Sequence, residues 1–135
     1  MYNSIFKIMK DVYEYSKNFR EGLKKYINKR ILVRAKFGGY SYENRVTEFE
    51  KLLFDRTFLI TTISVKGEIV CDHMWLHSKK FDKALGELEV GDIIEFYTIP
   101  KYYSKYKEKV YIKNSLVRVN LLNIGFEKIE DIIKI

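Results

Sequence analysis

Lysine and tyrosine crowd together in Pro100–Lys109, PKYYSKYKEK, which holds four lysines, three tyrosines, one acid and the chain's only proline. Lysine ammonium groups neutralise phosphates, and tyrosine rings offer flat faces for bases. Lys101, Tyr102, Tyr103, Lys105, Tyr106 and Lys107 therefore have the chemistry of a contact with single-stranded nucleic acid. A second tyrosine pair, Tyr40 and Tyr42, stands in the polar stretch Gly38–Arg45. Arg34 and Lys36 alternate with apolar residues just upstream, on the outer side of a strand, and would lead phosphates toward that pair. Trp75, the single tryptophan, is one more candidate stacking ring.

Other chemistries find less support. Cys71, His73 and His77 lie close together, but structural zinc takes four ligands, usually in close pairs, and the chain has one cysteine and two histidines. No metal or other cofactor is expected. Cys71 with His73 forms no recognisable nucleophilic pair, and Asp72 with His73 reads as a buried hydrogen-bonded pair. Glu43, Glu48, Glu50 and Asp55 follow no ligand pattern and read as exposed charges. There is no phosphate-cradling glycine loop and no dinucleotide fingerprint. The residues describe a binding protein and not an enzyme.

Such side chains need a scaffold. From Asn3 to Asn28, Ile5, Met9, Val12, Ser16, Phe19, Leu23 and Tyr26 recur at helical spacing, which predicts an amphipathic helix over 1–28. Ile31, Val33, Ala35 and Phe37 alternate with Leu32, Arg34 and Lys36, a half-buried strand that Gly38-Gly39 ends or bends. Val46–Asp55 fits either a helical turn or a strand. Thr57–Val65 is rich in β-branched residues, and Lys66-Gly67 turns it into a hairpin with Glu68–Leu76. Ser78–Leu88 has helical spacing. The strands Asp92–Ile99 and Val110–Val119 flank Pro100–Lys109 as a loop. In the tail 121–135, Phe126, Ile129, Ile132 and Ile133 share a helix face.

The order β-β-β-α-β-β is that of the OB fold, a five-stranded Greek-key barrel with a helix between strands three and four. The expected protein is thus mainly β: an OB-like barrel over 29–120, the N-terminal helix packed on it, and a C-terminal docking helix over 121–135. In that fold the ligand crosses strands two and three between the first and last hairpin loops, here Gly38–Arg45 and Lys101–Lys109.

The bulk properties agree with one domain. The chain has 135 residues, 47% of them hydrophobic, and a net charge of +7 that favours polyanionic partners. One cysteine allows no intrachain disulfide. No apolar run has the length of a membrane span, and the opening MYNSIFKIMKDVYEYSK has no signal-peptide core. A cytoplasmic setting without membrane partners is expected.

Two segments also carry a resemblance. TFLITTISVKGEIVCDHMWL (Thr57–Leu76) ends a hairpin in an Asp-His-hydrophobic-aromatic run. GELEVGDIIEFYTIPKYYSKYK (Gly86–Lys107) follows a short helix with a Gly-Asp strand and a basic, tyrosine-containing insert. Together they resemble a group of small phage- and plasmid-borne β-barrel proteins of poorly assigned function. The resemblance implies an OB-like fold and nucleic-acid handling. The two terminal segments fall outside it. They motivate a second expectation: a mobile-element interaction module that inhibits a host defence complex, as anti-CRISPR proteins do, or a replication nucleoprotein complex.

Overall fold

The computed structural model describes residues 10–41, 57–77 and 79–135. Among them are six strands: β1 (Lys10–Tyr15), β2 (Ile31–Ser41), β3 (Thr57–Val65), β4 (Glu68–His77), β5 (Ile93–Ile112) and β6 (Ser115–Lys134). A 3-10 helix covers Glu21–Tyr26, and a short α-helix, α1 (Lys79–Leu85), stands between β4 and β5. The strands form one mixed sheet in the order β1-β6-β5-β2-β3-β4. β1 runs parallel to β6 and every other pair is antiparallel. β1 and β4 are edges, so the protein is mainly β but the sheet is open, where the sequence predicts a closed five-stranded barrel. Among the described residues no helix is long and apolar enough to cross a membrane.

Strict alternation builds the core. In β2, Ile31, Val33, Ala35 and Phe37 are buried while Leu32, Arg34 and Lys36 face out. Phe37 meets Phe58 of β3 at 5.9 Å, Phe58 meets Phe81 of α1 at 4.4 Å, and Phe81 meets Phe96 of β5 at 5.4 Å between ring centroids. These edge-on or tilted pairs pack α1 against β3 and β5. Leu23 of the 3-10 helix is fully buried in the same cluster. Its neighbour Gly22 rests against the backbone of Val70 in β4, where any Cβ would strike the Val70 carbonyl.

β-bulges bend the sheet. The β2–β3 register slips between Arg34 and Lys36, where Thr62 has φ 49°, and the β5–β6 register slips twice beside Lys128 and Asp131, both at φ 52°. Each slip adds a residue to one strand and increases the local twist. The hairpins themselves close on two-residue turns with positive φ at both positions, Lys66-Gly67 and Lys113-Asn114, the geometry that matches strand twist.

Three predicted elements change identity. The helix expected over 1–28 is replaced, within the described residues, by β1 and the 3-10 helix; its positions before Lys10 lie outside them. Val12, placed on the apolar helix face, is 39% exposed. Pairing with β6 outweighs the local periodicity, as tertiary context commonly does. The helix expected over 121–135 is the second half of β6, where a bulge residue separates Phe126 from Ile129 and another separates Ile129 from Ile132. Two strand steps plus one bulge residue make a spacing of three, which imitates helical periodicity. Finally, Pro100–Lys109 is no loop: β5 runs through it for 20 residues and turns only at Lys113-Asn114.

Candidate nucleic-acid interface

Beyond Ile99 the β5–β6 hairpin extends as an arm, with β1 as its third strand. Paired residues on neighbouring strands share a face, and successive residues alternate. Tyr13 pairs with Asn120, which pairs with Tyr106; Tyr15 pairs with Leu122, which pairs with Ser104; Asp11 pairs with Arg118, which pairs with Lys109. Tyr102, opposite Ile124, and Tyr111, opposite Leu116, continue the same face. It therefore displays five tyrosines, exposed by 57% (Tyr13), 56% (Tyr15), 41% (Tyr102), 58% (Tyr106) and 77% (Tyr111). Same-face neighbours along a strand lie about 7 Å apart and adjacent strands about 5 Å apart, so Tyr13 and Tyr15 are next neighbours on β1, Tyr13 and Tyr106 stand on either side of β6, and Ser104 separates Tyr102 from Tyr106 on β5. Tyr13 and Tyr106 flank Asn120 and leave it 7% exposed.

Charge on this face is mixed with the rings. Phe19 stacks on Tyr15 at 4.2 Å and lies nearly parallel to Tyr102 at 6.5 Å. Lys24 Nζ donates to the Tyr15 hydroxyl at 3.3 Å, and that hydrogen bond holds the lysine pKa above its ordinary value. Lys109 is exposed beside Tyr111 on the same face. Asp11 accepts from Asn120 Nδ2 at 3.2 Å and pairs with Arg118 at 3.7 Å, which offsets its negative charge.

A groove lies where the open sheet fails to close, between Met74–His77 of β4 and Gly125–Ile129 of β6. Its volume is about 440 Å³ and Trp75, Phe81, Tyr103 and Phe126 are among its walls. Arg20 Nη1 donates to the Ile124 carbonyl at 2.8 Å and the Tyr103 hydroxyl at 3.3 Å. The Tyr103 ring lies over Gly125, where an added Cβ would come within 3.3 Å of it. Lys80 Nζ donates to the Ile129 carbonyl at 3.1 Å.

The predicted site residues divide among separate places. Trp75, 52% exposed on the outer face of β4, lines the same groove as Tyr103. Tyr102 and Tyr106 belong to the tyrosine face, whereas Lys101, Tyr103 and Lys105 alternate onto the opposite one. Lys107 sits at a slip in register and pairs with Glu14 at 3.6 Å. Arg34 and Lys36 project from β2 far along the sheet from the arm, and Arg34 pairs with Glu95 at 3.3 Å. Tyr40 packs on Phe37 at 4.6 Å and its hydroxyl accepts the Leu88 N–H at 3.2 Å, a core position. Tyr42 lies outside the described residues.

Sequence reasoning misses Tyr13, Tyr15, Lys109 and Tyr111 on the arm, and Arg20, Lys80 and Lys128 at the groove. The alternation Asp11, Tyr13, Tyr15 is the signal for the first pair. Asp72 and His73 are both exposed, in place of the expected buried pair. Cys71 Sγ donates to the His73 carbonyl at 3.2 Å, and burial pushes its thiol pKa up. Among the described residues no three His, Cys, Asp or Glu side chains converge as metal ligands would.

No known family matches the chain, and no curated protein or solved structure matches it.

Proposed function

We infer that the protein is a non-enzymatic, cytoplasmic binder of single-stranded nucleic acid, and that the strand lies across the tyrosine face of the arm. The observation that carries this reading is the five exposed tyrosines held by register on one face of three strands. A sheet that leaves aromatic rings in water gains by covering them with bases, each stack being worth roughly 1–3 kcal/mol. Lys24, beside Tyr15, and Lys109, beside Tyr111, would meet phosphates, and the net charge of +7 favours approach of a polyanion.

The fold reading attached to this function is an opened OB barrel. The β2–β3–β4 and β2–β5–β6 pairings, with α1 after β4, support this reading, the β4–β6 seam being the gap. The extended arm then corresponds to the last hairpin, a usual ligand-binding element of that fold. The interaction-module reading draws on the same basic surface and on apolar faces of terminal helices; among the described residues of those segments β1 and β6 run as strands. No observation favours it.

The test is a titration of labelled single-stranded and duplex oligonucleotides at several salt concentrations. Single strands are expected to bind more tightly, with affinity falling as salt rises. Tyr13→Ala, Tyr106→Ala and Tyr111→Ala should each weaken binding about 5- to 150-fold, the range equivalent to one lost stack. Affinity indifferent to all three substitutions would return the face to a purely structural role.

A further inference from the structure

We propose that the groove between β4 and β6 is a second site, which takes one nucleotide: its base against Trp75 and its phosphate on Lys80, Lys128 and Arg20. The proposal rests on the reading of the arm as a nucleic-acid surface and names the part of the ligand that this groove receives.

Size, polarity and continuity support it. At about 440 Å³ the groove falls within the roughly 300–1,000 Å³ of small-molecule sites. Trp75, Phe81 and Phe126 are among its walls, Arg20, His77, Lys80 and Lys128 line it beside them, and among the described residues none of its lining is acidic. That combination suits a flat ring carrying an anion and disfavours an acidic peptide's apolar side chains or a neutral hydrocarbon equally. Arg20 is fixed before any ligand arrives, because Ile124 and Tyr103 orient its guanidinium. A guanidinium has five N–H donors in a rigid plane, so an anchored arginine presents a phosphate with a prepared partner. Tyr102 is on the arm's tyrosine face and Tyr103 faces the groove, so a strand crossing the arm passes from one site to the other over adjacent residues of β5. Beyond Thr98 that edge of β5 has no partner strand among the described residues.

Trp75 is the chain's only tryptophan, so its fluorescence reports on the groove alone. The protein is titrated with each nucleoside 5′-monophosphate, with adenosine and with inorganic phosphate, and separately with an oligonucleotide lacking terminal phosphates. Saturable quenching by at least one monophosphate, stronger than by adenosine or phosphate, is expected. Lys80→Gln with Lys128→Gln should weaken it at least about tenfold, while Tyr13→Ala with Tyr106→Ala leaves it unchanged. Thermal melts check that both double variants fold, and the separate single lysine variants serve if the double one does not. No quenching by any monophosphate, equal quenching by inorganic phosphate, or quenching indifferent to the lysines would each overturn the proposal. Oligonucleotide binding that persists in those cases leaves the arm reading standing. Monophosphate quenching with no oligonucleotide binding removes the arm reading and overturns the proposal's link to it.

Discussion

Asn123 joins the arm to the segment that leads out of β1. Its side-chain oxygen accepts the N–H groups of Arg20 at 3.1 Å and Ile124 at 2.8 Å, and its amide donates to Ser16 Oγ at 3.1 Å and the Asn18 carbonyl at 3.4 Å. At 8% exposure, water cannot replace those partners. Asn123→Ala should cost roughly 2–4 kcal/mol, measured by urea unfolding, since two backbone donors lose their acceptor. Asp92 makes a different case. Its carboxylate accepts the Glu89 N–H at 2.8 Å and Lys134 Nζ at 3.3 Å, and the backbone bond above all holds its pKa below the usual value. A depressed folded-state pKa contributes stability above the unfolded value of about 3.9, and that contribution is lost as pH falls through the folded value. Asp92→Ala should therefore melt at a lower temperature than the parent at neutral pH, with the gap closing in acid; a gap independent of pH would assign the loss to packing. The Asn123 role is not legible in sequence, because its partners meet only once distant strands are in register, whereas the main Asp92 bond is local and only the Lys134 contact is remote.

At the scale of elements, what could be read from the chain was whatever depends on near neighbours. The β2 alternation and the Lys66-Gly67 turn are local, and both stand where residue types place them. The elements that change identity depend on remote partners: β1 needs the edge of β6, some hundred residues away, and the second half of β6 hides its strand nature behind two bulges. The candidate site suffers the same way. Reading Pro100–Lys109 as a loop puts its three tyrosines on one platform, whereas strand alternation sends Tyr103 to the face opposite Tyr102 and Tyr106. The turn that settles the matter, Lys113-Asn114, lacks the glycine that marks most such turns, and Lys113 holds φ 49°. A lysine in that conformation costs about 1–2 kcal/mol. Replacing the pair with Asn-Gly should raise stability by about 1 kcal/mol in thermal or urea unfolding. An unchanged or lowered midpoint would mean that the tip is no tight two-residue turn.

The whole molecule divides unevenly in stability. The buried cluster draws on β2, β3, β4, the start of β5, α1 and the 3-10 helix, and from the arm half of β6 it includes only Ile124. Val117 and Val119 are buried too, but outside that cluster. The arm is thus held by strand pairing, by β1 and by Asn123 more than by core packing, and segments of that kind open at lower free energy than the core. Native-state hydrogen exchange should show amides of Tyr102–Tyr111 and Leu116–Leu122 opening well before those of Val33, Ile60 and Phe96. A single-stranded oligonucleotide that lies across the tyrosine face should slow exchange in the arm while leaving the core amides at their global rate, because binding stabilises only the state it recognises. If the arm exchanges only by global unfolding, the division into a rigid body and a separately opening arm fails. If the oligonucleotide protects α1 and β4 but not the arm, the strand rests on the groove alone, and the tyrosines of β1 and β5 lose their assigned role.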